Sequence, residues 1–269
     1  MAALEQEVVL ERTRAELSRL TCQALAWFKA DGGLKDMSAR VAMLRMQKDG
    51  LIELPPPRCK RPDPRVRIGS RSDPGEPLDQ PARALTPLAL RRVRTNGESR
   101  LWNEYIQRYH YLGHKPLPGA QLRYIVYSGE EPIAVLGFGA AAWMSAPRDR
   151  YIGWTHDQRK RNLSLIVNNA RFLILPWIQS KNLASMLLAK AVKILPHHWQ
   201  EVYGYRPVLL ETFVEKPRFR GTCYKAANWV CTGQTKGTAK KGHLHVKHGN
   251  IKDVYLYPLR KDFRNKLNG

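Results

Sequence analysis

From Arg171 to Trp177 the chain reads R-F-L-I-L-P-W, an apolar run of strand length closed by Pro176. The polar Gln179-Ser180-Lys181-Asn182 follows, and then Leu183, Met186, Leu187 and Ala191 recur at helical spacing. Strand, polar turn and helix in that order predict a central strand with a crossover helix. The return strand is Pro207 to Val214, and Gly221 to Trp229 reads as a short helix entered through a glycine turn. Where a strand end feeds a helix N-terminus, free backbone N–H groups and the positive end of the helix dipole suit a phosphate or carboxylate. The candidate cofactor-binding residues are therefore Ser180, Lys181, Asn182 and Ser185, with the identity of any cofactor open.

The rest of the body reads as Glu98 to Tyr111 helix, Leu122 to Tyr127 and Ile133 to Ala142 as an antiparallel hairpin, a basic turn at 156–163, a turn at His197-His198-Trp199, and a late strand from Val254 to Pro258. That order predicts an α/β class with a mixed sheet (α+β) over residues 86–269. Residues 1–57 form a separate unit, with one helix around Leu17 to Phe28, a break at Asp31-Gly32-Gly33, a second helix placing Val41 and Leu44 inward, and a short strand at Leu51–Leu54. Helix, turn, helix and strand is the layout of a winged-helix-like DNA-binding domain, with Arg40, Arg45 and Lys48 placed to reach phosphates. A small helical cap is the competing reading. Residues 58–85, rich in Pro and Arg, read as a linker.

Lys and Arg number 45 against 23 Asp and Glu, a formal charge of +22, which marks a polyanion as partner, DNA first among them. Single-stranded and double-stranded DNA are not distinguished. No apolar run spans a bilayer and no secretory signal opens the sequence. The four cysteines form no CxxC pair or framework, so a reduced, cytoplasmic protein is expected. Arg159, Lys160 and Arg161 with Lys236, Lys240 and Lys241 are candidate phosphate contacts, and Trp154 can stack a base or cover the core. His243, His245 and His248 lack an acidic or cysteine companion at strand spacing, so no metal is expected. The candidate catalytic set is His110, Glu211 and Tyr224: an imidazole beside two rings, a carboxylate in an apolar strand that needs a partner such as Arg171 or Arg123, and a phenol on the next helix.

The element order resembles a GNAT-type N-acyltransferase, in which the turn after the central strand holds an acyl carrier's pyrophosphate and a late tyrosine serves as acid. Here that turn, Ile178 to Leu183, has no glycine. Y-H-Y-L-G-H at 109–114, R-D-R-Y-I-G-W at 148–154, N-N-A-R-F-L-I-L-P-W at 168–177, L-E-T-F-V at 210–214 and G-T-C-Y-K-A-A-N-W at 221–229 resemble the DruA family, named for the Druantia antiphage system and also found beside transposases. A more distant pattern, His110-Tyr111, Asn182 to Ser185 and Gly221 to Trp229, is similar to the phage Mom proteins, which modify the adenine amine in DNA. Together these resemblances imply a defence or mobile-element protein that acts on DNA bases. The alternative is a non-catalytic module that recruits a helicase, nuclease or transposase.

Overall fold

A computed structural model describes residues 12–29, 32–57, 65–85, 87–216, 218–241, 244–247 and 249–269, with 238–247 by backbone alone. The chain divides into two compact units, 1–65 and 66–269.

In the first unit, α1 (Arg14–Ala24) begins at Thr13, whose side chain and that of Glu16 cap each other's backbone N–H groups. A turn closed by a bridge between Phe28 and Leu34 leads into α2 (Asp36–Lys48). The buried stripe of α2 is Ala39 and Met43, and Cys22 of α1 is buried as well, whereas Val41 and Leu44, expected inward, are 46% and 44% exposed. Ala39 and Met43 stand four residues apart and share one helix face, and Val41 and Leu44 fall away from it. Arg40 is held between Asp36 at 2.7 Å and Ser18 Oγ at 3.3 Å. Leu51–Leu54 has no strand partner among the described residues, so the expected wing strand does not form there.

The second unit begins with β1 (Leu78–Asp79) and β2 (Leu88–Arg92), then α3 (Asn96–Tyr109), β3 (Gln121–Ser128) and β4 (Glu131–Ala140). Two short helices, α4 (Ala146–Ile152) and α5 (His156–Asn162), precede β5 (Ile166–Ile174), β6 (Ile178–Gln179) and the long α6 (Leu183–Tyr203). The chain ends with β7 (Leu209–Glu215), α7 (Thr222–Ala226), β8 (Val230–Gln234), β9 (Thr238–Lys241), β10 (Leu244–Lys247), β11 (Lys252–Pro258) and α8 (Phe263–Asn268). Seven strands form one sheet in the order β2-β3-β4-β5-β7-β11-β8. The fold is thus mixed α/β with a mixed sheet. Only β5–β7 pairs in parallel in this sheet, as a connection through α6 requires.

Residues 66–85, expected as linker, are part of this unit. Asp73 pairs with Arg108 at 2.6 Å, Tyr109 Oη donates to the Ser72 carbonyl, β1 lies parallel to β6, and Ala82 and Leu85 are buried. The turn expected at His197-Trp199 lies inside α6. Leu187, Leu188, Ala191, Leu195 and Trp199 keep one apolar stripe in the core, and that burial carries the helix past Pro196. Trp102, Tyr105 and Ile106 of α3 join this core with Tyr124, Leu136 and Phe138 of the sheet. A second cluster gathers Ile152, Ile166, Leu209 and Leu256 under Phe263 and Leu267 of α8.

Candidate functional site

β5 and β7 hydrogen-bond only over Ile166–Asn168 against Leu209–Glu211. Farther along, β5 keeps β4 and β7 keeps β11, but the two part from each other. A cavity of about 840 Å³ occupies the resulting gap, within the range of about 300–1,000 Å³ usual for small-molecule sites. Every residue from Asn168 to Ile174 and from Thr212 to Glu215 lines it. A cavity over a sheet face would meet alternate residues, so this one runs along the two opened strand edges, which carry unpaired N–H and C=O groups. A bulge marks the same place: Gly137 faces Arg171 and Phe138 faces Asn169, leaving Ala170 between them without a partner. A Cβ on Gly137 would stand 2.9 Å from the Trp102 ring and 3.2 Å from Arg171 Cβ, so a side chain there would displace the bulged segment.

Side chains bridge the gap where the backbone ladder stops. Thr212 Oγ1 donates to the Asn169 carbonyl at 3.0 Å, and Tyr224 Oη donates to Asn169 Oδ1 at 2.8 Å. The Asn169 amide nitrogen donates in turn to the carbonyls of Gly137 and Arg171, so the side chain is fully used. Tyr224 is 8% exposed and burial pushes its phenol well above the usual range, which keeps it a neutral donor. Cys223 lines the cavity too, but burial pushes its thiol up and away from the reactive thiolate. Asn168 Oδ1 is buried without a hydrogen-bond partner.

The opposite wall is aromatic and cationic. His110 stacks on Tyr111 with ring centroids 4.8 Å apart, Phe219 meets Tyr111 edge-on at 5.2 Å, and the Arg218 guanidinium lies 5.0 Å over the Tyr111 ring. Arg171, Arg220 and Lys252 also line the cavity, against one carboxylate, Glu215. Arg171 is 9% exposed, donates to the Ala170 carbonyl at 2.7 Å, and has no carboxylate within ion-pair distance among the described residues. Its Nε is buried and unpartnered, so the site carries an uncompensated cation. The same charge, after burial, pulls His110 down to about 4. The imidazole is therefore neutral at pH 7, and its Nδ1 accepts the Leu112 N–H at 3.2 Å, which leaves the proton on Nε2. In that tautomer His110 is a hydrogen-bond donor rather than a waiting base. Burial, followed by Glu215, raises the Tyr111 phenol.

Of the three expected catalytic residues, His110 and Tyr224 line the cavity and Glu211 does not. Glu211 is fully buried in an ion pair with Arg148 at 2.9 Å and accepts the Ala142 N–H at 2.7 Å. Neither Arg171 nor Arg123 is its partner; Arg123 instead bonds Asn103 and lies 5.4 Å over the Trp102 ring. The carboxylate in the cavity is Glu215, four residues on. Ser180, Lys181, Asn182 and Ser185 sit at the start of α6 and none lines the cavity. Ser185 Oγ instead donates to the Asn182 carbonyl, which closes the first turn locally.

Among the expected nucleic-acid contacts, Arg45, Lys48, Lys160, Arg161 and Lys236 are exposed. Arg40 is engaged by Asp36, as described. Arg159 is 8% exposed and held by Asp149 at 3.2 Å and His156 Nδ1 at 2.8 Å, so it is a packing cation. Trp154 donates Nε1 to Asp149 Oδ1 at 3.1 Å and packs on the second core cluster, a structural place. The side chains of Lys240, Lys241, His243, His245 and His248 lie outside the described residues. No cluster of metal ligands occurs among the described residues, and no described helix is long and apolar enough to cross a membrane.

Over residues 45–247 the sequence matches the family described as Druantia protein DruA. The chain belongs to the DruA family. Curated protein sequences give no match. Among solved structures, this DruA-family chain is similar to a spermidine N-acetyltransferase SpeG chimera from Vibrio cholerae and hSSAT, at TM-score 0.42 and 13% identity over 68% of this chain and 100% of that one. It is also similar to the aminoglycoside acetyltransferase AAC(6')-Ib in complex with coenzyme A, at TM-score 0.44 and 15% identity over 66% and 98%. Likenesses this loose place no residue of the DruA site.

Proposed function

We propose that this DruA-family chain is a DNA-binding defence protein that takes one nucleotide into the cavity between β5 and β7 and acts on its base. The family match supports the defence role, and the +22 charge supports a polyanionic partner. The observation that carries the reading is the wall formed by His110, Tyr111, Phe219 and Arg218 in a cavity that also holds the unpaired Arg171. Stacked rings and guanidinium planes suit a flat heterocycle, and a buried arginine without a carboxylate suits an anionic phosphate. The neutral His110 and the open strand edges supply donors for a base whose exocyclic group reacts, and Tyr224, donating to Asn169, holds the cavity floor beside them. A DNA-binding role for the first unit, as a helix-turn-helix without the wing strand, belongs to the same proposal, with Arg45 and Lys48 in the last turn of α2 as exposed phosphate contacts.

One set of observations favours a second reading, a recognition module that recruits an enzyme such as a helicase, nuclease or transposase. His110 is held far below neutrality, while Tyr224 and Cys223 are pushed up. All three of these cavity side chains are thereby moved away from pH 7. The two readings part in one experiment. Oligonucleotide binding is measured for wild type, Arg171→Ala and Tyr224→Phe, and the nucleosides of DNA from expressing cells are analysed by mass spectrometry. Base modification predicts weaker binding by about tenfold for Arg171→Ala, in line with removal of a charged hydrogen bond, and an adduct that Tyr224→Phe abolishes. Binding without an adduct selects the recruiting module. Equal binding by wild type and Arg171→Ala removes the cavity from either reading.

A further inference from the structure

The loop between β4 and α4 is built in a way that the cavity alone does not require. Ala142 has both its backbone polar groups held by one buried ion pair: its N–H donates to Glu211 Oε1 at 2.7 Å, and its carbonyl accepts from an Arg148 terminal nitrogen at 2.6 Å. Arg148 and Glu211 are each 0% exposed. Three residues on, Ser145 is buried and its N–H reaches Asp149 Oδ2 at 3.4 Å. Between these two anchors Trp143 is 54% exposed and Met144 is 67% exposed. The feature that sets this tip apart is not exposure alone but two adjacent large apolar side chains turned to solvent on a backbone fixed at both ends.

The tip is also supported and charged from beneath. The Arg159 guanidinium lies 5.7 Å from the Trp143 ring centroid and is itself fixed by Asp149 and His156. Lys160 and Arg161 follow on the same helix and are exposed, as is Arg150 at the end of α4, with Asp157 as the exposed carboxylate of α5. Ala142, the anchor, belongs to the cavity lining, so the tip stands at the cavity rim. We propose that Trp143 and Met144 form a stacking knuckle for a single nucleic-acid strand, on which the base adjoining the captured nucleotide rests while Lys160, Arg161 and Arg150 meet its phosphates. This inference rests on the nucleotide reading of the cavity. The charge of the neighbouring side chains selects a nucleic-acid strand over an apolar protein partner.

The test uses the full chain and a short fluorescein-labelled single-stranded oligonucleotide, with anisotropy measured across a salt series. Trp143→Ala is expected to weaken binding by about tenfold at every salt concentration, as loss of one base stack does. The salt slope stays that of wild type because the ring neutralises no phosphate. Trp143→Phe recovers most of the affinity. Wild-type affinity in Trp143→Ala, together with weakened binding in Arg171→Ala, overturns the knuckle and leaves the cavity reading standing. Equal loss in the Ala and Phe variants with a lowered unfolding midpoint assigns Trp143 to packing and also overturns it. Absence of oligonucleotide binding by the wild-type chain overturns both.

Discussion

Among single residues, His110 shows most directly how burial sets the chemistry of the cavity. It follows the last turn of α3, stacked on Tyr111 and facing the charge of Arg171, and its folded pKa is drawn from 6.5 to about 4. Below pH 6.5 the unfolded chain takes up a proton that the folded chain refuses. The stability tied to the neutral imidazole is therefore whole above pH 6.5 and is lost as the pH falls toward 4. His110→Asn keeps an acceptor for the Leu112 N–H and removes the titration. The variant should lose less stability than wild type between pH 7 and 4.5, by about 1–2 kcal/mol once solvent screening of this partly exposed ring is allowed for. Urea denaturation at the two pH values measures the difference. The residues His110, Glu211 and Tyr224 were visible in the sequence as chemistry-bearing types. Their division between cavity and core was not, because the answer to which arginine neutralises Glu211 lies in Arg148, distant in sequence and inconspicuous in a basic run.

At the scale of elements, the pair Arg148–Glu211 ties α4 to β7 and holds the end of the hairpin at Ala142. Burial raises the Glu211 carboxyl, and Arg148 with the Ala142 N–H opposes that rise. Removing one partner strands a buried charge, so Arg148→Met or Glu211→Met alone should cost about 3–5 kcal/mol. The double substitution should recover much of it, as a double-mutant cycle in urea would show; additive losses would mean that the two do not act as a pair. Elements with long apolar periodicity, α3, β3, β4 and β7, were legible because burial and pattern agree. The charge of α5 reads as a turn, although Thr155 and Gln158 spell a capping box whose reciprocal bonds the structure contains. The split of β5 from β7 was not legible at all. It depends on where two strands stop pairing, and nothing in Asn168-Asn169-Ala170 states that without its neighbours.

For the whole molecule, the charge legible from composition sets the first expectation of its behaviour. Affinity for single-stranded DNA should fall linearly on a log–log plot against salt, and replacing Arg45 and Lys48 by Ala should reduce the slope by roughly 0.7 for each phosphate that is no longer neutralised. An unchanged slope would place the first unit off the nucleic acid. The cavity has a different kind of dependence. Ala170 is an extra residue against β4, and the strand on either side of it is read in opposite registers. A relative one residue shorter at this point could retain Asn168, Asn169, Arg171 and Tyr224 by identity and still present Asn168 and Asn169 to the wrong side. For chains of this kind, spacing is as heritable a part of the site as the residues themselves, and an alignment that closes a one-residue gap here erases the information that decides whether a site exists.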